Sequence, residues 1–380
     1  IDVSSDAGIQ GLAQLGNSAA ASTTKGASTA TADVEDLQGA DLDALEVGGV
    51  ASVTGQVSLT NAASSSNVES GTSTAVAQLG DLNNNVSQID GLFTSNNAVT
   101  SGESGVEVSS DGTLTGLASI SNSASAASTA SSADADALAG GTIDGAQLNS
   151  VDIGGVGSIT GQTSFAGSAD ATNVGAQDTS SLADATLLDA DGLEADNGIN
   201  VSSDAGLTGL NTASLSSSAQ STGAGTGTTA TADSDAGTLQ GAQLTGTTDI
   251  GGVGSIGGQV SFSGASDAAN VTGSASATSD LAFDDTYGST AGTEKVVGLD
   301  TNAATTTSSD GTLQGLTNLS SGANAATTNG LASASSRSSD MDGAELDSVD
   351  IGGVGSITGQ TSFAGSADAT NVGAQDTSSL

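Results

Sequence analysis

The chain has 380 residues, 43 Asp and Glu against 3 Lys and Arg, a formal net charge of -40, 55 Gly, and no His, Cys, Pro or Trp. Without His or Cys there is no Ser-His or Cys-His nucleophile pair, no imidazole or thiolate metal site and no disulfide framework, and so anionic a surface repels phosphate, which excludes nucleic acid as a partner. Leu, Ile, Val and Phe make up about 19% of the residues, just under the level associated with disorder at high net charge, so an ordered chain needs an architecture built with few large side chains.

Taken in chain order, two kinds of block alternate. VSSDAGIQGL starts at Val3, VGGVASVTGQVSL at Val47, and VSSDGTLTGL at Val108. Residues 150–182 read SVDIGGVGSITGQTSFAGSADATNVGAQDTSSL, VSSDAGLTGL starts at Val201 and IGGVGSIGGQVSFSGASDAANV at Ile250. SSDGTLQGL follows from Ser308, and 348–380 then repeat 150–182 letter for letter, about 198 positions later. The chain reads as four units of about 100 residues, 1–105, 106–198, 199–303 and an incomplete 304–380, which pair into super-repeats 1–198 and 199–380. Ile1 aligns with Ile199 and Leu380 with Leu182, so the chain starts in phase with a super-repeat, and 183–198 are what should follow Leu380. Neither terminus carries a polar cap, and the expectation is that the ends are covered by continuing polypeptide or by a head-to-tail neighbour in an open filament. There is no run of 18 apolar residues for a membrane span, and with Ile1 at the start any signal peptide has been removed or lies outside this window.

Within each unit Thr, Val, Ser and Gly favour strands, since every Gly in a helix interior costs about 1 kcal/mol. In 120–126 (ISNSASA) small residues alternate, Ala to one face and Ser to the other. A helix over the Ala-rich 124–138 is the competing reading, and its Ser and Thr content weighs against it. The predicted fold is all-β: a β-solenoid or solenoid-like repeat rod, in which stacked small apolar residues fill a thin interior. The alternative is a row of β-sandwich modules of about 100 residues, disfavoured by a single Tyr and five Phe. Phe165, Phe262, Phe363 and Leu59 occupy one place in the four units and are expected to point inward.

The run Ile153-Gly154-Gly155-Val156-Gly157 lacks the Lys and Ser/Thr of a phosphate-binding loop and reads as a turn or tight inter-coil contact. Ser109-Ser110-Asp111-Gly112 reads as a turn in which Asp bonds its own backbone and Gly takes positive φ. The candidate metal ligands are Asp189, Asp191, Glu194 and Asp196 in LLDADGLEADNG, and Asp340, Asp342, Glu345 and Asp347 in SDMDGAELDSVD, where Asp alternating beside Gly offers the hard oxygens calcium accepts. Neither run has EF-hand or GGxGxD spacing, so the other reading is a solvated acidic surface. Asp134 with Asp136, and Asp41 with Asp43, are weaker candidates. Paired carboxylates are the residues of glycoside hydrolysis, but 2% aromatics leave few rings for sugar stacking, and the Thr run 226–231 does not recur at a coil spacing as an ice-binding face would.

The IGGVGSITGQ-type blocks amid Ala, Ser, Thr and Asp resemble the low-complexity repeat proteins of marine picocyanobacteria and their phages. That resemblance spans the chain and implies a cell-surface or extracellular structural polymer, with no functional residue to carry over. The scarcity of Lys and Arg and the lack of Cys suit an exported protein. The expected function is an extracellular structural repeat protein of a filament, fibre or surface layer, without catalytic activity. The alternatives are a receptor-binding or adhesive fibre, of phage or adhesin type, and a calcium-binding module. Expected partners are copies of the chain itself, head-to-tail or lateral, and cell-surface components.

Overall fold

The computed structural model describes all residues except 81–87, 95–104, 130, 176–178, 224, 226, 282–294, 339, 374–376 and 380. The described chain is all-β, and every strand pairing in it is parallel. Ala7, Ala51, Gly112, Gly157, Ala205, Gly254, Gly311 and Gly355 stand in one column, which defines eight coils. The coil from Gly311 to Gly355 takes 44 residues and that from Ala51 to Gly112 takes 61. Sandwich modules are antiparallel, so these ladders leave the solenoid-like arrangement. No helix long and apolar enough to cross a membrane occurs among the described residues.

Each coil has three parts. A short strand such as Val151–Ile153 turns into a long strand such as Gly157–Asn173, and a return strand such as Ser180–Ala195 leads back to the next short strand. In the long strands of the inner coils burial alternates strictly: in Gly112–Ser128, Leu114, Ala118, Ile120, Asn122, Ala124 and Ala126 are inside while Thr113, Ser119, Ser121 and Ser125 face solvent. A slip of one residue would expose this entire inner row, so the alternation fixes the register. The segment 124–138 falls in two strands, Gly112–Ser128 and Ser132–Leu148, with a bend between them and no helix among its described residues.

The inner side chains form two cores that run through the coils. Beside the short strands lies a core of Leu, Ile and Val, including Leu148, Val151, Ile153 and Ile159. Between long and return strands lies a thinner one dominated by Ala, including Ala124, Ala126, Ala133 and Ala135. Both draw on all four units, which therefore share one stack, two coils to each unit. At ~3.3 Å per residue the 17-residue long strand spans about 56 Å, and eight coils ~4.8 Å apart rise only about 34 Å. The expected rod is thus a block, wider than it is tall, because each coil consumes so many residues.

A double row of glycines separates the cores. Gly116, Gly161 and Gly209 of the long strands face Gly145, Gly192 and Gly241 of the return strands, and a Cβ on any of them would meet backbone at less than 3 Å. Only glycine permits that approach. Further along, inside the Ala core, Asn17 Nδ2 donates to Asn61 Oδ1 at 3.1 Å and Asn61 Nδ2 to Asn122 Oδ1 at 3.1 Å. Asn122 also donates to the Ala77 carbonyl at 2.9 Å, so this polar row ties long strand to return strand while satisfying its own amides.

The two block types prove to occupy the same place in successive coils: Gly112 of the SSDG block stacks on Gly157 of the IGGVG block. At the joint, Asp111 Oδ1 accepts the Val156 N–H at 2.9 Å, and Asp6, Asp204 and Asp310 do the same for Val50, Val253 and Val354. The carboxylate thus bonds the next coil rather than its own turn, and Gly112 is a strand residue without positive φ; both points correct the expectation. The Asp side chain fills the space a Cβ on Gly155 would need, which explains the glycine pair opposite each Asp. The IGGVG run is accordingly both a turn and an inter-coil contact. In the other direction the Ser202 and Ser308 hydroxyls donate to the Gly154 and Gly251 carbonyls of the preceding coil. Asp111→Ala is expected to lower stability by about 1–2 kcal/mol, as loss of a hydrogen bond to a charged acceptor does, with chemical denaturation as the measurement.

Leu59, Phe165 and Phe262 are buried as expected, Phe165 to 2% exposure. Phe363 is 38% exposed. It stacks on Leu319 of the preceding coil, and no described coil lies over its other side.

Candidate functional site

The carboxylates come together on the return strands, just before the pinch glycines. Asp90, Asp144 and Asp191 each precede such a glycine, and Asp144 pairs in register with Asp90 on one side and Asp191 on the other. Their exposures are 0%, 2% and 6%. Ile143 belongs to the Ala core and Ala146 to the Leu-Val core, so the inward face switches across Asp144-Gly145, and the kinked strand holds the carboxyl between the two cores. Three residues further along, Gln147 stacks on Glu194 and its amide donates to Glu194 Oε2 at 2.7 Å. Asp144, Asp191 and Glu194 each bring a carboxylate oxygen into one group, all within 4.8 Å of one another, the sole such group among the described residues.

The electrostatics are unfavourable to charge. Burial, reinforced by the neighbouring carboxylates, pushes Asp144 and Asp191 well above the ordinary carboxylate range. Burial also pushes up Asp90, Asp189 and Glu194, each to about 7. Asp90 Oδ2 accepts from Gln38 at 3.2 Å, but Asp90 Oδ1, Asp144 Oδ2, Asp189 Oδ1 and Asp191 Oδ1 are buried without a hydrogen-bond partner. Buried polar atoms are ordinarily paired; unpartnered carboxylate oxygens also occur at Asp134, Asp233 and Asp235, and what sets this place apart is that three carboxylates converge. By contrast Asp2, Glu46 and Glu107, which also stack coil on coil, face solvent on the short strands.

The structure divides the predicted ligands. Asp191 and Glu194 join the group, and Asp189 lies close enough to raise their pKa values. Asp196 also lies against Glu194 and raises its pKa, accepts from Thr245 Oγ1 at 3.2 Å, and stands outside the group of three. Asp340, Asp342, Glu345 and Asp347 are exposed on the return strand of the seventh coil and are not gathered. Glu345 is engaged there by Lys295 at 2.9 Å. Of the weaker candidates, Asp136 stacks on Asp184 and is half-buried, while Asp41 and Asp43 are exposed. Sequence reasoning missed Asp90 and Asp144. The signal was the recurrent Asp-Gly pair at 90, 144, 191 and 342, which marks one column once the coils are aligned.

No family model, curated protein or solved structure matches this chain. What the site can do must therefore be read from its chemistry. It offers hard oxygen donors and no imidazole or thiol, a set suited to a hard cation. A separate open groove of about 650 Å³ runs across the outer face of the long strands past Asp170, Ser218, Asp267, Asn324 and Asp368, which form one column with carboxylates separated by neutral residues.

Proposed function

We propose that the chain is a β-solenoid section of an extracellular or cell-surface structural polymer, without catalytic activity, whose partners are further copies of the same kind of coil. The observation that carries this reading is the uninterrupted parallel stack, in which SSD and GGV turns fit one another coil after coil and any further coil of the same kind can extend it. The long strand of the first coil pairs with the second coil alone, and that of the eighth with the seventh alone. Leu15 at one edge, and Ile357 and Phe363 at the other, are exposed although their counterparts in inner coils are core residues. Such edges template further pairing. They also match in kind: the first coil carries the SSD turn and the eighth the GGV turn, so stacking the eighth coil of one molecule on the first of another continues the alternation. Composition supports an exported setting, with no Cys and three Lys and Arg, as does the resemblance to repetitive surface proteins of marine picocyanobacteria and their phages. The acidic groove across the long strands favours, as a second reading, a fibre that binds a surface component.

Sedimentation of the purified chain over a range of concentrations tests the proposal. Head-to-tail polymers should form, and Ile357→Lys, which places a charge on the open edge without disturbing a buried residue, should dissociate them. Monodisperse monomers throughout, or polymers indifferent to that substitution, would count against it.

A further inference from the structure

We propose that Asp144, Asp191 and Glu194 form an enclosed calcium site between the third and fourth coils. The inference rests on the coil geometry and is independent of the filament reading. Three carboxylate oxygens from adjacent coils lie within 4.8 Å of one another, a separation that a single ion can span. Asp144 Oδ2 and Asp191 Oδ1 are buried and have no hydrogen-bond partner, in side chains more than nine-tenths buried.

The stack supplies its own comparison. Glu194 stands in register with Gln243, Asp300 and Glu345 of the following coils. Lys295 directly precedes Val296, whose neighbours in the stack lead back through Leu239 to Ala190; it therefore holds the place that Asp189 holds two coils earlier. There the ammonium sits between the two stacked carboxylates, 2.6 Å from Asp300 and 2.9 Å from Glu345, and Asp300 is fully buried. Where the column carries Lys295, a positive charge thus bridges carboxylates of successive coils. Around Glu194 the same position carries a further acid, Asp189, and no basic side chain is paired with Asp144, Asp191 or Glu194. Stacked carboxylates in a low-dielectric interior repel strongly unless a cation lies between them. The donor set selects calcium among common cations: all donors are oxygen, which disfavours zinc and copper, and an enclosure of protein carboxylates suits calcium better than magnesium, which retains much of its water.

The test is calcium titration by calorimetry of the intact chain, stripped with chelator, at fixed ionic strength and neutral pH. A saturable site should appear above the diffuse screening of the acidic surface, and calcium should raise the melting temperature. Asp144→Asn and Asp191→Asn should each weaken binding by about tenfold or more, about 1.4 kcal/mol or more, while Asp249→Asn, an exposed acid on a short strand, should leave it unchanged. Terbium substituted at the site should show fewer coordinated waters, by luminescence lifetime in light and heavy water, than terbium on exposed carboxylates. If the Asn variants lose their β circular dichroism, Glu194→Gln, at a half-buried position, takes their place. Absence of a saturable site in the wild-type chain, equal affinity in wild type and variants, or a fully hydrated terbium ion would each overturn the assignment.

Discussion

Gly161→Ala is expected to cost more than about 4 kcal/mol, the range reserved for gross disruption of packing, whereas Gly206→Ala, in a long strand one coil further on, should be neutral or stabilising by about 0.5–1 kcal/mol. A Cβ on Gly161 would be 2.8 Å from the Gly192 carbonyl carbon and 2.9 Å from the Leu193 Cα, all backbone, while one on Gly206 meets nothing within 4 Å. Neither is a position of positive φ, so the difference isolates close approach from backbone freedom. Relief of the clash requires the long and return strands to separate, and that opens the Ala core and the Leu-Val core together. Urea denaturation of the two variants checks this; equal midpoints would show that the pinch can relax.

Stability measured in chelator is expected to fall steeply as pH rises from 5 to 8. Besides the buried carboxyls already described, two groups on the outer face of the return strands contribute to it. Burial raises Asp136 to about 7, helped by Asp134 and Asp184. Burial raises Asp235 to about 8, with Asp233, Asp184 and Asp280 adding to it; Arg337 stands in register with Asp280 on the far side. In the unfolded chain these carboxyls titrate near ~3.9. Between that value and the folded one the native state binds more protons, so its advantage is complete below about pH 4 and is lost as pH passes through 7 to 8. A pKa held near 7 corresponds to about 4 kcal/mol for a fully enclosed carboxyl, and partial exposure reduces this to about half. Asp136→Asn with Asp235→Asn should make the dependence shallower. A melting temperature that is level or rises over this interval would show that the two carboxyls stay ionised in the fold.

The strand character and the facing of side chains were legible in 120–126, because a half-buried strand writes its two faces as alternate letters. The coil length was not, since VSSDG and IGGVG differ in letters while occupying one place. Their equivalence is a matter of fit, an Asp side chain seated against a glycine pair, and self-similarity does not reveal complementary partners. For the same reason the expected rod became a block. Asp191 and Glu194 were visible as part of an acidic run, but Asp144 lies in IDGAQL, a segment with one acid. Only the register that brings Ile143-Asp144 against Ala190-Asp191 makes it their neighbour. The second predicted group failed for a physical reason: Asp342 stacks on Val297, so its column carries no adjoining carboxylate, and Lys295 already engages Glu345.

The alternation of Asp-bearing and glycine-bearing turns also sets a parity rule for how such a chain can change length. Adding or removing a single coil would bring two Asp turns, or two glycine turns, face to face, leaving carboxylates opposed or valine N–H groups without their acceptor. A pair of coils, or any even number, restores the match. The verbatim duplication of 150–182 at 348–380 lies four coils away from its source, which obeys that rule. Copying errors in the encoding repeat that shift an odd number of coils should be purged by folding itself, so length variants of this protein are expected to differ in steps of about 100 residues.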